Sequence, residues 1–468
     1  MSIFQRAKAI PKEELLFSRK AFIKLMIPLI IQQVLNVTVG TVDSMMVSYA
    51  GEAAVSGVSL VNSLDTLLII FFTALVTGGS VVITHTLGRG DAEGIKESAK
   101  QLLYIATAGS TLLTVTILIF RGPLLYLLFG EVEDDVMASA SIYFFFVALS
   151  FPLLAITSSV DAMLRASGNT LTSLLVSLAI NIINVCGNAV LIMGFNMGAA
   201  GAAISTTFSR LVGTVILLII AHNKKSPVHV EKLLHYKPDF KIIKKILYIG
   251  VPNGIESSMF QFGRLLTQTL ISTMGTAVIA ANAVALTVCN FQYIIGTACS
   301  SAMVTTVGRC IGAGKEDQAK YYSRSILAFN YVMLWSIILV TMAVLSPIVS
   351  VYNLSGFSSE LAKELVIYHS ICAALIWPIG FMLPSSFRAA GDVRFSLVIS
   401  MISMWTLRVA GAYVLALDVV SVLGLFSFPG LGMGIMGVWI AMTVDWVFRA
   451  AFFLFRYLSG GWLRANRI

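Results

Sequence analysis

Four acidic residues stand deep inside apolar stretches of this chain: Asp43, Asp65, Glu256 and Asp445. A carboxylate at the centre of a lipid-spanning helix costs about 2.5–3.5 kcal/mol on insertion scales, so each needs a partner or a task. The task open to a buried acid is to bind and release a proton or a small cation. Asp43 closes a run Gln32, Asn36, Gly40, Asp43 at helical steps, which puts all four on one face. A second polar face runs through Ser173, Ser177, Asn181, Asn184 and Asn188, at steps of 4, 4, 3 and 4. An amide there can orient an acid or ligate sodium, but it cannot itself take the proton. Asp65, three residues beyond Asn62, offers a second negative charge. Asp43, Glu256 and Asp65 are therefore candidate cation-coupling residues. Gln32, Asn36, Asn181, Asn184 and Asn188 support them, and Asp43 with Asn184 are candidate ligands for a sodium ion.

Glu256 lies one turn after Pro252, whose ring frees a backbone carbonyl and bends the helix, as a cation site or hinge would use. Arg264 is two turns further, about 12 Å along the axis, too far to pair with it inside the helix. Arg408 and Arg449 are other partners open to Glu256 and Asp445, and the i, i+4 spacing of Asp445 and Arg449 reads as a structural pair. Asn282, Asn290, Tyr293, Thr297 and Arg264 are candidates for a substrate cavity. Asn290, Tyr293 and Thr297 share a face, and Tyr293 offers both ring and hydroxyl. Nineteen methionines and 28 phenylalanines supply adaptable apolar contacts.

Positioning such groups requires a membrane bundle. Apolar residues make up 57% of the chain and charged residues 12%, about half the charged share of soluble domains. Mean hydropathy is +0.88. Apolar runs at 21–49, 53–87, 101–120, 136–164, 171–193 and 198–221 are followed by 242–273, 277–311, 321–352, 361–387, 395–420 and 431–458. Each can cross the hydrocarbon, and none alternates with the period of a barrel strand. The expectation is an all-α integral membrane protein of twelve transmembrane helices: a lead 1–20, helices 1–6 over 21–222, a basic linker 223–241, helices 7–12 over 242–458 and a tail 459–468.

Basic residues orient it. Six precede Leu25, seven lie between Lys224 and Lys245, and Arg464 and Arg467 close the chain. The opposite side holds Arg121 and Lys363 against Glu131, Glu133, Asp134 and Asp135. This bias places both termini in the cytoplasm and accounts for most of the net charge of +9, so nucleic-acid binding is not the reading of the high pI. The charged lead is expected as a short amphipathic helix rather than a cleaved signal peptide. Five cysteines without C-x-x-C spacing point to neither disulfides nor zinc. No H-E-x-x-H, G-x-S-x-G or phosphate-loop motif supports an enzyme, and no cofactor is expected.

The chain also repeats itself about 224 residues apart. Pro28 falls on Pro252, Gly51 and Ala53 on Gly275 and Ala277, and Gly88, Gly90 and Lys96 on Gly312, Gly314 and Lys320. LRASGN and FRAAGD superpose Arg165 on Arg388 and Gly168 on Gly391 with the register slipped by one. Matched halves in a membrane protein point to alternating access.

The helix-end motifs THTLGRGDAEG and GRCIGAGKEDQ, the turns LRASGNT and FRAAGDV, and the segments GAAGAAIST, GIMGVWIAM and VDSMMVSYAG resemble the multidrug and toxic compound extrusion family over roughly residues 20 to 460. The resemblance implies two pseudo-symmetric six-helix lobes in a V around a central cavity. It also implies a monomeric prokaryotic plasma-membrane antiporter that exchanges amphipathic or cationic drugs for protons or sodium. Asp43 matches the family's acidic position in the first helix. Where the fifth helix can carry Asn-x-x-x-Asp, this chain has Asn184 and Asn188, so that carboxylate is missing. The glutamate of the family's seventh helix would fall near Phe260 rather than at Glu256, and the aspartate of its tenth near Trp377. A lipid-linked oligosaccharide flippase of the same wider superfamily is the alternative, because it would want arginines such as Arg210, Arg264 and Arg408 for pyrophosphate.

Overall fold

The computed structural model describes residues 14–130, 132–224, 226–231, 237–422 and 426–464. Most of the expected amphipathic lead, Glu131, part of the basic linker and Arg467 lie outside the described residues. Two compact units result, Phe17–Gly254 with Gly312–Gly314, and the remainder from Ile255 onward.

The first unit begins with α1 (Arg19–Ser48), where Ser18 caps the free amide of Ala21 and Pro28 lies inside the helix. It continues through α2 (Glu52–Arg89), α3 (Ala92–Phe129), α4 (Asp134–Leu149), α5 (Phe151–Ser167), α6 (Thr170–Asn188) and α7 (Gly198–Ala221). Asp91 caps α3 by accepting from Gly94 N at 2.9 Å. The run expected to stop before Arg121 continues as helix to Phe129. α2 packs on α4, α3 and α5, and α6 packs on α7 and α1. At Gly57 a side chain would strike the α4 backbone, with Ala140 N 2.7 Å and Val136 O 2.8 Å from a Cβ. Close approach of this kind is how helices associate where lipid removes the hydrophobic drive. Val61, Phe72, Phe144 and Phe151 fill the space inside, while Leu112, Ile119, Leu127 and Ile219 remain exposed, as suits faces that meet lipid.

α8 (Phe240–Ser272) carries Pro252 and passes from one unit into the other at Gly254. Beyond it come α9 (Thr276–Gln292), α10 (Ile294–Gly312), α11 (Glu316–Ala343), α12 (Leu345–Ser350), α13 (Gly356–Trp377), α14 (Pro384–Ala389), α15 (Val393–Ile402), α16 (Gly411–Ala416), α17 (Gly434–Leu458) and α18 (Gly461–Arg464). Trp377, Trp439 and Trp446 pack with Ala281, Ala285 and Ala441 in its core. A two-stranded antiparallel hairpin, β1 (Val419–Val422) and β2 (Phe426–Pro429), pairs Val419 with Pro429 and Val422 with Phe426. It corrects the all-helical expectation: the span expected to reach residue 420 ends at Ala416, and Leu417 turns to extended backbone.

Ten helices among the described residues are long and apolar enough to cross a membrane, or eleven if α4 and α5, bent by 45° at their junction, form one span. α8, which carries Lys241, Lys244, Lys245, Glu256 and Arg264, is not among them. The repeat is written in the backbone. Gly51 and Gly275 have φ of 95° and 96°, Gly90 and Gly314 of 73° and 71°, and Gly168 and Gly391 of 86° and 80°. These left-handed junctions are open to glycine and strain other residues, which is why the motif glycines recur there.

Candidate functional site

In the first unit the polar faces of α1 and α6 meet at Asp43. Asn188 Nδ2 donates to Asp43 Oδ1 at 2.9 Å. It is the last residue before the backbone widens into a π segment, Ala189–Gly194. Such widenings shift the register of the side chains beyond them and recur at functional sites. Asn184, one turn earlier, touches Asp43 and Thr206 of α7 together. With its nitrogen toward α1 it donates to Asp43 Oδ1 and Oδ2 at 2.8 and 3.1 Å, while its oxygen accepts from Thr206 Oγ1 at 3.2 Å. This orientation suits an ionised acid. Asn188 Oδ1 and Asn181 Nδ2 are buried with no hydrogen-bond partner among the described residues.

Asp65 stands apart from this group. Its Oδ2 lies 3.9 Å from Arg210 Nη2, and its Oδ1 is buried without a hydrogen bond. Arg210 Nη1 donates to Ser150 Oγ at 2.6 Å, which anchors the guanidinium between α4 and α5. Tyr143 donates to Asn62 Oδ1 at 3.1 Å and lies within electrostatic reach of Asp43, Asp65 and Arg210. The first unit therefore sets Asp65 against Arg210 and leaves Asp43 to the amides of α6.

Two supporting residues belong elsewhere. Asn36 is exposed. Gln32 accepts from Ser173 Oγ at 3.3 Å, and Ser173 also bonds Asp161, which pairs with Arg165. Gln32 thus belongs to the clamp on Arg165, the arginine of the LRASGN turn.

The second unit builds the matching clamp differently, from Glu256. Glu256 accepts from Ser400 Oγ at 2.7 Å and lies 3.9 Å from Arg388, the arginine of the FRAAGD turn. Position 256 corresponds to Gln32, and Pro384 stands where the first half has Asp161. The carboxylate that neutralises the turn arginine has moved from the fourth helix of one half to the first helix of the other. Neither Arg408 nor Arg449 is its partner, because both go to Asp445.

Asp445 is fully buried. Arg449 Nε donates to its Oδ1 at 2.7 Å, Ser403 bonds the same oxygen, and Arg408 Nη1 lies 3.7 Å from Oδ2. Arg408 and Ser403 belong to a second π segment, Ser403–Ala410. Phe260 receives both arginines, with Arg408 Cζ and Arg449 Cζ at 5.2 and 5.4 Å from its ring centroid. A third π segment, Pro378–Met382, starts where a proline interrupts the ladder and presents Phe381 to Arg449.

The cavity candidates divide. Asn282 is buried, donating to Gln268 Oε1 at 3.4 Å and accepting from Trp439 Nε1 at 3.1 Å, so it ties helices together instead of facing a cavity. The helix expected to run through 277–311 breaks at Tyr293, which separates Asn290 and Thr297 onto α9 and α10, both exposed. Tyr293 stacks on Trp377 at 4.4 Å and its hydroxyl bonds His369. Arg264 is exposed, with Nη1 3.4 Å from Gln261 Oε1. Sequence spacing could have found the Glu256–Arg388 clamp, since both halves of it are repeat positions. The π segments that place Asn188 and Arg408 had no signal beyond Pro378.

The family model for MatE matches residues 28–190 and 252–414, two copies in the register of the repeat. An uncharacterized transporter, YisQ, of Bacillus subtilis is 26% identical over 93% of each chain. A probable multidrug resistance protein, NorM, of Thermotoga maritima is 26% identical over 97% of this chain and 95% of its own. Among solved structures, a MATE transporter in a bent conformation has a TM-score of 0.83 at 18% identity, covering 95% of this chain and 96% of that one. An outward-facing multidrug resistance MATE family transporter has 0.82 at 19%, over the same shares. Ten or eleven apolar spans, a structural repeat and two matched copies of the family pattern agree: the chain is a multi-pass membrane transporter and belongs to the MatE family.

Proposed function

We propose that this transporter is a secondary active exporter. It exchanges amphipathic or cationic organic compounds for protons or sodium by alternating access in a prokaryotic plasma membrane. It acts as a monomer of twelve spans in two six-helix lobes, with both termini cytoplasmic. The observation that carries the reading is Asp43, a carboxylate within a spanning helix whose neighbours are two amides and no fixed cation.

The ion's effect follows from the Asn184 amide. An ionised Asp43 draws two amide N–H groups from α6 onto α1. A proton or sodium at Asp43 weakens its oxygens as acceptors for those N–H groups, so the α1–α6 contact differs between the two states. An ion shifts an equilibrium only by such a difference in binding. Electroneutral exchange for a monovalent solute yields about 1.36 kcal/mol per pH unit. Each net charge moved adds about 2.3 kcal/mol per 100 mV. Glu256 and Asp445 are left out of the coupling, because both are neutralised by arginine. Asp65 is likewise set against an arginine, Arg210.

The test is uptake of a lipophilic cation into inside-out vesicles with pH and sodium gradients imposed separately. Gradient-driven uptake should vanish in Asp43→Asn, while the variant still folds and binds the cation. Normal driven uptake in that variant would sink the assignment. A second reading, a flippase of lipid-linked oligosaccharides, is favoured by the arginines around Phe260.

A further inference from the structure

The second unit holds more positive charge than its own carboxylates neutralise. Arg408 and Arg449 flank Phe260 and share Asp445, and Arg264 lies one turn after Phe260 on α8. Glu256 is committed to Arg388. Arg449 is spent, with Nε on Asp445 and Nη2 donating to the Ser400 carbonyl at 3.2 Å. Arg408 is held only at 3.7 Å from Asp445, and Arg264 has only the neutral Gln261, in a weak 3.4 Å contact. Tyr293 lies within electrostatic reach of both.

The repeat sharpens the point. Asp43 and Asp65 of the first half fall on Thr267 and Cys289 of the second, so both acids are gone. Arg264 falls on Gly40, and Arg408 falls on Asn184, or on its neighbour Val185 once the register slip is counted. The acids of one unit are thus replaced by neutral residues in the other, whose arginines stand where the first unit has neutral ones. Guanidinium groups carry planar donors that match carboxylate, sulfonate and phosphate, and Phe260, Tyr293 and Trp377 lie beside them for an aromatic or apolar body.

We infer that the second unit binds the anionic group of an amphipathic molecule through Arg264 and Arg408. Arg449 and Asp445 form the fixed base beneath them. The molecule is either a free organic anion or zwitterion or the headgroup of an anionic lipid. The inference deepens the transport reading by naming a charge class for what this unit holds, and it is tested by binding alone.

Two dyes that share a dansyl ring decide it, one ending in a sulfonate and one in a trimethylammonium. Each is titrated onto the purified full chain in phosphatidylcholine nanodiscs. The sulfonate dye should bind saturably, and Arg264→Gln and Arg408→Gln should each weaken it about tenfold, or about 1.4 kcal/mol. Cation-dye affinity should stay within twofold. Lys363→Gln, which removes a distant positive charge, should leave the sulfonate affinity unchanged. Arg264→Gln keeps the test intact if the Arg408 variant fails to fold, because Arg264 makes no ion pair among the described residues. Adding phosphatidylglycerol separates the sources: competition identifies a lipid headgroup and its absence a free solute, and either supports the site. Equal sulfonate affinity in wild type and a folded Arg264→Gln variant, or loss in Lys363→Gln alone, overturns it. Coupling is read separately from Asp43→Asn, so either idea can fail without the other.

Discussion

The two units place opposite charges on the same frame. The first has Asp43 with two amides, and Asp65 sharing Arg210. The second has Arg408 and Arg449 about Phe260 and on the fully buried Asp445, with Arg264 one turn along α8. What stayed constant between them is what holds the backbone, namely the left-handed glycines, the proline of the first helix and an arginine in the turn after the fourth. What diverged is the ionisable groups between those fixed points. Duplication can copy a scaffold, but a site that binds a cation and one that binds an anion cannot share residues.

The turn arginines show how tightly the frame constrains charge. Arg165 takes its carboxylate from Asp161 and Arg388 takes its own from Glu256, on a different helix. A buried guanidinium left without an anion costs several kcal/mol, and where position 384 offers only proline, Glu256 supplies the carboxylate.

The comparison can be broken most decisively at Asp43. Asp43→Asn should reduce gradient-driven uptake at least about a hundredfold, since the amides that touch position 43 cannot take its proton. Next come the clamps. Glu256→Gln and Asp161→Asn should each lower stability by about 2–3 kcal/mol, seen as an earlier denaturation midpoint, and leave ion dependence intact in the surviving protein. Removing the arginine as well, as in Glu256→Gln with Arg388→Gln, should recover most of the loss. If Glu256→Gln instead uncouples a fully stable protein, the two units are more alike than the structure indicates. Asn184→Leu should raise the half-saturating cation concentration about tenfold, near 1.4 kcal/mol, with maximal rate retained.

The smallest effect lies on the linker side of the first unit. Glu231 accepts from His229 at 3.1 Å and lies 3.7 Å from Lys96, and these contacts hold its carboxyl below the usual carboxylate range. Its contribution is present above pH 4.5 and fades as pH falls through its lowered value. Wild type and Glu231→Gln should melt together at pH 3 and differ by about 1 °C at pH 7. The counterpart Lys320 pairs within its own helix with Asp317 at 3.6 Å, so Asp317→Gln should show no more.

Much of the candidate site was legible in spacing. Asp43, Asn184 and Asn188 lie on faces that helical periodicity identifies, and those faces do meet. Gln32 and Asn36 sit on the same face of α1 as Asp43, yet the first is drawn to Ser173 and the second stays exposed, because a helix of that length runs past more than one neighbour. Asn282 has the polarity of a cavity residue, but Trp439 and Gln268 use up both ends of its amide. Neighbours distant in sequence make those assignments, so periodicity along one helix cannot supply them.

By itself the sequence determined the solvent, the helical class, the repeat and the acids that needed explaining. Each follows from local composition or from the cost of charge in lipid, which the chain cannot evade. The tertiary structure decided which charge meets which. It gave Glu256 to Arg388, Asp65 to Arg210, and Asp445 to two arginines at once. Those choices rest on helix packing and on π widenings that rotate a side chain by a fraction of a turn, and such rotations arise only once the neighbouring helices are in place.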